Sequence, residues 1–249
     1  RATVVPQESI SAADRRRMFE LMECYYENIT FDQFLTDLKK KNYVIVLRDL
    51  ALDNSIQGFS TLLHVTLDGG KSRGIFSGDT VVEAAYWGQR QLGRTFLRHL
   101  FFEKLRQPLR PLYWFLMSKG YKTYLLMANN FSEHYPRCEM STPAPMARLI
   151  DEFYGHQYPE NYDPKTGLVA FEGPSCRLKV GLVPISPELL AVSEKVAYFE
   201  EKNPNWQRGS ELCCIARMTF FMPLYYSLKA IFRSDSKRAA VGVRRPVRE

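Results

Sequence analysis

The sequence predicts a mixed α/β fold with a mostly antiparallel, twisted sheet and helices on both faces. The chain has 249 residues, of which 45% are hydrophobic, and this is enough to bury a substantial core. Three segments rich in β-branched and aromatic residues follow one another between residues 43 and 87, which is typical of an antiparallel meander. Segments with helical spacing of apolar residues lie before and after the meander.

Two helices are predicted before the meander. Apolar side chains recur at helical spacing between Asp14 and Glu27. Thr30 and Gln33 then match the capping-box pattern, which predicts the start of a second helix that extends to Lys41. We therefore expect two helices to open the chain.

The meander itself is predicted from three strand segments and the turns between them. The segments are 43–47, 56–67 and 74–87, and Asp- and Gly-containing turns at 49–54 and 68–70 separate them. A helix over 95–107 follows and is closed by Pro108 and Pro111. The apolar run 112–117 then predicts a buried strand, parallel to the strand before the helix.

The second half of the chain gives weaker patterns. Residues 121–131 fit a short helix or a strand, and 132–145 has the composition of a loop. Pro145 can start a helix that runs to Tyr154 and stops at Gly155. Two further strands, 168–171 and 212–216, are predicted with a helix over 187–199 between them.

These elements indicate a single domain over residues 1–232, with a C-terminal extension of its core from about residue 178. A basic and flexible tail is predicted over 233–249.

The formal net charge of +7 favours phosphate-bearing or acidic partners. No base-reading motif is present, so nucleic acid is not an expected partner, although a basic nucleic-acid binder is a third possible function. The five cysteines and four histidines lack metal-ligand spacing, so no metal is expected. The absence of a long apolar run predicts a cytoplasmic protein.

A short turn between the third meander strand and the next helix predicts a phosphate-binding site. A helix that begins directly after a strand presents unpaired amide groups at its N-terminus, and Gly93 allows close approach to the main chain. Arg90 and Arg94 add positive charge. A purely structural glycine is the alternative. The predicted binding residues are Trp87, Arg90, Gln91, Leu92, Gly93, Arg94 and Thr95.

The order of elements and this Arg-x-x-Gly-x-Thr turn resemble the GNAT acyltransferase superfamily, whose Gln/Arg-x-x-Gly-x-Gly/Ala motif begins the helix that holds the acyl-CoA pyrophosphate. The resemblance covers about residues 14–171 and departs from the family at Thr95 and in the long stretch 118–145. It implies acyl-CoA, or the acyl-phosphopantetheine of an acyl carrier protein, as co-substrate. It also implies an amine acceptor and a splay between the strand that ends at Trp87 and the strand 112–117, where main-chain amides polarise the thioester carbonyl.

Direct transfer requires a base for the incoming amine and an acid for the leaving thiolate. The resemblance places a carboxylate on the strand before the turn, which is Glu83 here, and a tyrosine near the end of the later helix, which is Tyr154. The alternative roles are a solvated surface carboxylate for Glu83 and ordinary core packing for Tyr154.

Aromatic residues are concentrated in the segments 113–135 and 220–232. They fit either the protein core or the lining of a tunnel for a medium or long acyl chain. The segment 218–232, together with the basic tail, could instead lie on a membrane surface as a peripheral contact. A catalytically inactive module with the same fold, which binds acyl-CoA or a partner protein, is the alternative to an N-acyltransferase.

Overall fold

The computed structural model describes residues 1–171, 177–179 and 184–221, which form a mixed α/β fold as predicted. The strands are β1 (Ala2–Pro6), β2 (Tyr26–Glu27), β3 (Tyr43–Asp49), β4 (Ser55–Leu67), β5 (Ser72–Val82), β6 (Leu112–Ser118), β7 (His134–Tyr135), β8 (Tyr162–Asp163), β9 (Leu168–Val169), β10 (Arg177–Leu178) and β11 (Glu211–Met218). The helices are α1 (Ala12–Tyr25), α2 (Phe31–Lys39), α3 (Gln91–Arg106), α4 (Tyr121–Asn130), α5 (Ala144–Gln157), α6 (Pro187–Val192) and α7 (Glu194–Lys202).

A strand, and not a helix, opens the chain, so the prediction that two helices come first is wrong in this detail. Strand β1 pairs antiparallel with β3, with Val4 opposite Ile45. Its five residues are too few to show a period of two, and pairing with a strand that lies some forty residues later holds it in place. The two predicted helices follow. The capping box is present, because Thr30 accepts from the Gln33 amide while Gln33 accepts from the Thr30 amide.

The meander, the helix and the parallel strand are confirmed. Strands β3, β4 and β5 pair antiparallel in sequence, α3 follows, and β6 pairs parallel with β5. Two boundaries differ from the prediction. Strand β5 ends at Val82, because a 3₁₀ turn over Ala84–Tyr86 replaces its last predicted residues. Helix α3 begins at Gln91, so most of the predicted phosphate-binding turn is its first turn.

In the second half, the ambiguous segment 121–131 is the helix α4. Helix α5 continues through Gly155 to Gln157, so this glycine does not stop it as predicted. The predicted helix over 187–199 is two helices, α6 and α7, which meet at Ser193, a residue with extended φ and ψ. The predicted basic tail, 233–249, lies outside the described residues, as does most of the segment 218–232.

Helices cover both faces of the sheet. Along β3, Ile45 packs in a cluster with α3, α4 and α7, whereas its neighbours Val44 and Val46 pack with α1 and α2. Successive strand residues point to opposite faces, so α2 and α3 lie on opposite sides of the sheet. A third cluster joins α5 to β5, β6 and β11. None of the helices in these ranges is long and apolar enough to span a bilayer.

Strands β5 and β6 part at a defined position. Their parallel pairing begins at Arg73 and Leu112 and ends at Ser77 and Leu116. The main sheet has the order β1-β3-β4-β5-β6-β11-β9-β8, so the β5–β6 pair lies in its middle. A β-bulge in β5 places Gly78 and Asp79 opposite the single residue Thr61 of β4, at the same position along the strand.

Candidate active site

A cleft of about 750 Å³ opens where β5 and β6 part. Beyond Ser77, β5 keeps its pairing with β4 but is no longer paired with β6. Main-chain groups of residues 78–82 that face β6 are therefore turned toward the opening. The aromatic residues of its lining are Tyr25, Tyr26, Phe34, Phe76, Trp87, Tyr158 and Phe171. The splay that the family resemblance implies is thus present.

Trp87 connects this cleft with the predicted phosphate-binding turn. Its side chain lines the cleft, its Nε1 donates to the Val82 carbonyl at 2.8 Å, and its ring lies 5.8 Å from that of Tyr25. The other six predicted binding residues, Arg90, Gln91, Leu92, Gly93, Arg94 and Thr95, do not line the cleft and instead form the start of α3. The turn and the cleft are therefore neighbouring parts of one surface, joined at Trp87.

The start of α3 has the properties of an anion site. Arg90 is the N-cap residue of α3, and its side chain makes no capping hydrogen bond to the helix. No acidic residue lies in the first turn of this helix. The first amides of a helix have no intrahelical partner, so they present partial positive charge together with the helix dipole. A Cβ built on Gly93 would meet no atom within 4 Å, which leaves the turn open to a ligand. Arg90 and Arg94 are both exposed beside it.

Thr95 faces the sheet. The residue is buried, and its hydroxyl donates to the Ala2 carbonyl of β1 at 3.5 Å. A hydroxyl directed at β1 points away from the exposed side of the turn. The threonine therefore contributes to the packing of α3 against the sheet edge, where it occupies the position at which the GNAT motif has Gly or Ala.

Glu83, the predicted base, does not line the cleft. Its Oε1 accepts from the Tyr25 hydroxyl at 2.9 Å and from the Ala84 amide at 3.1 Å, and its Oε2 lies 3.7 Å from an Arg17 nitrogen. Three partners of this kind hold the carboxylate against α1. In the structure Glu83 thus contacts Tyr25 and the 3₁₀ turn, and it does not belong to the lining of the cleft.

Tyr154, the predicted acid, is fully buried and also lies outside the lining. Its hydroxyl accepts from the Leu116 amide at 3.1 Å and lies 2.9 Å from the Leu116 carbonyl and 3.0 Å from the Cys214 carbonyl. Burial raises the pKa of the phenol well above 10. The hydroxyl thus contacts the main chain of β6 and β11, which is the kind of contact that the core-packing alternative predicts.

Three carboxylates line the cleft, Asp37, Asp79 and Glu211, and Glu211 is the buried one. It is the first residue of β11, its side chain is only 5% exposed, and its Oε1 lies 3.4 Å from Lys119 Nζ. Burial raises the pKa of Glu211, and the Lys119 ammonium opposes that shift. A carboxylate with a raised pKa is a stronger proton acceptor than an exposed one.

Tyr158 is the corresponding tyrosine. It follows Tyr154 by one helical turn at the end of α5, and it lines the cleft while Tyr154 does not. Burial raises the pKa of Tyr158 above 10, and the negative charge of Glu211 adds to this shift. The phenol therefore keeps its proton at neutral pH.

Sequence reasoning missed Glu211 and Tyr158, although both left a signal. Glu211 directly precedes the predicted strand 212–216, where a carboxylate at the strand start reads as a surface residue. Tyr158 repeats Tyr154 at a spacing of four, which places both on one helix face. The described part of the chain contains no group of three or more His, Cys, Asp or Glu side chains placed to hold a metal ion.

No protein-family model matches the sequence, and no curated protein matches it. Several solved structures that resemble parts of this chain are acetyltransferases. Glucosamine-6-phosphate N-acetyltransferase from Arabidopsis thaliana is 11% identical, with a TM-score of 0.38, over 58% of this chain and 99% of that chain. IAA acetyltransferase from Bacillus cereus ATCC 14579 is 14% identical, with a TM-score of 0.36, over 55% of this chain and 79% of that chain.

A GNAT family N-acetyltransferase from Escherichia coli, solved in complex with CoA, is 14% identical, with a TM-score of 0.38, over 53% of this chain and 68% of that chain. These likenesses are distant. The cleft and the turn of this chain, and not these likenesses, are therefore the basis for inferring a function.

Proposed function

We propose that this protein transfers an acyl group from acyl-CoA to an amine by direct attack in the cleft between β5 and β6. One observation carries the proposal. The start of α3 has no side-chain cap and carries two exposed arginines. It adjoins a cleft that opens at the only parallel strand pair in the described ranges. A helix start of this kind suits the pyrophosphate of CoA, and the parted strands leave room for the pantetheine arm and its thioester.

The main-chain groups of residues 78–82 support the chemical step. Those on the β6 side face the opening because β6 no longer pairs with them, so the amides among them can donate to the thioester carbonyl as it gains negative charge. In this proposal, attack by the amine forms the new C–N bond, and collapse of the tetrahedral intermediate breaks the C–S bond. No covalent enzyme intermediate is needed.

Glu211 and Tyr158 are the groups we assign to proton transfer. Glu211 takes the proton from the acceptor ammonium, either directly or through one water, and Tyr158 donates a proton to the leaving thiolate. Both lie in the lining of the cleft. We assign these roles to them and not to Glu83 and Tyr154, because the latter two side chains do not line the cleft and are hydrogen-bonded to Tyr25 and to the main chain of Leu116.

The acyl group and its carrier are finer parts of the proposal. In the aromatic segment 113–135, Trp114, Phe115 and Tyr124 are each at most 2% exposed and pack in the core, and no aromatic residue of this segment lines the cleft. The aromatic lining of the cleft itself supports a medium or long acyl chain. The exposed arginines of α3 suit an acidic acyl carrier protein as well as CoA.

A binding experiment tests the proposal. The protein is incubated with acetyl-, hexanoyl-, decanoyl- and palmitoyl-CoA, and its thermal unfolding is followed, because a ligand that binds the native state raises Tm. We expect stabilisation that grows with chain length, and a matched acyl carrier protein series compares the two donors. Absence of a shift with every thioester would overturn the donor site.

The inactive-module alternative differs in one result. An enzyme releases free thiol from its bound acyl-CoA when a suitable amine is added, and a binding module does not. A protein that binds acyl-CoA but releases no thiol with a broad panel of amines would therefore support the module.

A further inference from the structure

The cleft contains an ammonium group without an ionic partner. Lys41 follows α2 at the α2–β3 connection, lines the cleft and is half-buried. Its Nζ lies 5.1 Å from the centre of the Phe76 ring. Among the described residues, no carboxylate lies within 4.0 Å of this nitrogen and no hydrogen bond involves it. A buried charge normally has a partner, because desolvation is costly.

The neighbouring charges are already engaged or more distant. Asp37 pairs with Lys40 at 2.9 Å, and Glu211 pairs with Lys119 at 3.4 Å. Asp79 attracts Lys41 from beyond ion-pair distance. Burial lowers the pKa of Lys41, and the attraction of Asp79 and Asp37 only opposes this. The positive charge of Lys41 is thus partly desolvated in the cleft, and a bound anion would offset the free-energy cost of that desolvation.

The bulge in β5 leaves space for this ammonium. A Cβ on Gly78 would lie 3.2 Å from Lys41 Nζ and 2.7 Å from Thr61 Oγ1. The Thr61 hydroxyl is fully buried and has no hydrogen-bond partner. A positive charge and an unsatisfied hydroxyl therefore both adjoin the point where the strands part.

Lys41 lies on the acceptor side of the sheet. The donor phosphates are assigned to the start of α3, and α2 packs on the opposite face of the sheet from α3. A group bound by Lys41 therefore belongs to the molecule that enters from the α2 side. Glu211 accepts a proton within the same cleft, so the cleft offers one partner for an amine and one for an anion.

We propose that Lys41 binds a carboxylate of the acceptor, and that the acceptor is an amine that carries a carboxylate, of the α-amino acid type. The other unpaired ammonium among the described lining residues, Lys122, is exposed, so Lys41 is the half-buried charge that an anion would neutralise, and one ammonium balances one singly charged carboxylate. This inference rests on the proposed function, because it names the acceptor of that reaction.

Matched pairs of amines test the inference. Phenylalanine and phenethylamine, leucine and isoamylamine, and glycine and methylamine differ within each pair mainly by the carboxylate. Thiol release from a saturating acyl-CoA gives kcat and KM for each amine. We expect the amino acid of a pair to have the lower KM, and Lys41→Met to raise that KM roughly 10- to 100-fold while the KM of its partner amine changes little.

Two control variants and one further amine separate the outcomes. Lys41→Arg keeps the charge and should retain the preference, and Lys39→Met removes an exposed lysine of α2 and should change nothing. A Lys41→Met variant that loses kcat equally with both members of a pair would place Lys41 at the developing oxyanion and overturn the inference. A preference for phosphoethanolamine over amino acids would also overturn it.

Failure of the proposed function is distinguishable from failure of the inference. Without acyl transfer, no amine releases thiol, yet the same pairs can be titrated by calorimetry against the protein saturated with CoA. Tighter binding of the amino acids that Lys41→Met abolishes would still support the carboxylate site. Equal binding within each pair, or no binding of either amine, would overturn it.

Discussion

The hydroxyl of Tyr154 lies between the amide and the carbonyl of Leu116, at 3.1 and 2.9 Å, on the strand where β5 and β6 stop pairing. A fully buried side chain thus makes hydrogen bonds to the main chain of β6 at the edge of the cleft. This arrangement separates a structural contribution from a catalytic one.

Tyr154→Phe should therefore lower stability without abolishing transfer. Removing the hydroxyl leaves buried main-chain groups without this partner, which costs about 1–3 kcal/mol. We expect the free energy of unfolding, measured in urea, to fall by that amount, while kcat of the folded protein stays within about threefold. A large loss of kcat at unchanged stability would restore Tyr154 as the acid.

Glu211→Gln should remove the proton acceptor and keep the donor site. General-base catalysis typically contributes roughly 100- to 10,000-fold, so we expect kcat to fall by at least 100-fold with acyl-CoA affinity unchanged. The raised pKa of Glu211 also predicts that wild-type activity increases with pH through a midpoint above 4.5, since the base acts only when deprotonated. Asp37→Asn, which changes an exposed carboxylate of the same cleft, is the matched control and should retain most activity.

Glu83→Gln should have a small effect on turnover. The carboxylate contacts Tyr25, Ala84 and Arg17, so its loss changes a partly exposed ion pair and two hydrogen bonds. We expect kcat within about threefold of wild type in the thiol-release assay. A loss comparable to that of Glu211→Gln would show that Glu83 reaches the substrate in a conformation other than this one.

Gly93→Glu should change stability and ligand binding in opposite directions. A glutamate near the start of α3 favours the helix by about 0.5–1.5 kcal/mol, since it replaces glycine and complements the dipole, and nothing lies within 4 Å of the new Cβ. The same negative charge opposes phosphate binding. We expect Tm to rise and acyl-CoA affinity to fall at least about tenfold.

The charge-matched control for Gly93→Glu is Gln107→Glu, at the other end of the same helix. It should leave acyl-CoA affinity unchanged. Equal loss of affinity in both variants would indicate a general charge effect and would argue against a phosphate site at the start of α3.

The free energy of unfolding should decrease at acidic pH because of the buried His134. The side chain is 3% exposed, its Nδ1 lies 2.9 Å from the Phe131 carbonyl, and burial lowers its pKa to about 4. Because the folded pKa lies below the unfolded value of 6.5, the stabilisation is complete above pH 6.5 and is lost as pH falls toward about 4.

His134→Asn removes this titration while an amide can still donate to the Phe131 carbonyl. We expect the free energy of unfolding of the wild type to lose about 3 kcal/mol more than that of the variant between pH 7 and 4. Identical pH profiles for the two proteins would mean that the imidazole is not buried in its neutral form.

Local patterns were sufficient to predict most of the elements. The capping box of Thr30 and Gln33, the apolar run of β6 and the turn around Gly93 each depend on residues close together in the chain. They predicted the meander, the parallel strand and the open helix start, because hydrogen bonding within an element and burial of one face act over short sequence distances.

The boundaries and the broken helices were not predictable in this way. Strand β1 exists because β3 pairs with it, and the end of β5 is set by the 3₁₀ turn that Glu83 caps. The break between α6 and α7 at Ser193 likewise occurs without a glycine or proline that would predict it. Tertiary pairing overrides local preference at such positions.

The sequence by itself determined the order of the main elements from α1 to β6, the parallel pair and the glycine turn, and the family resemblance that these carry implied the splay. Only the tertiary structure decided which polar side chains face it. Glu211, Tyr158 and Lys41 come from β11, from the end of α5 and from the residues after α2. The strand order brings these distant segments together, and one turn of helix separates the cleft-facing Tyr158 from the buried Tyr154, a difference that depends on packing and not on residue type.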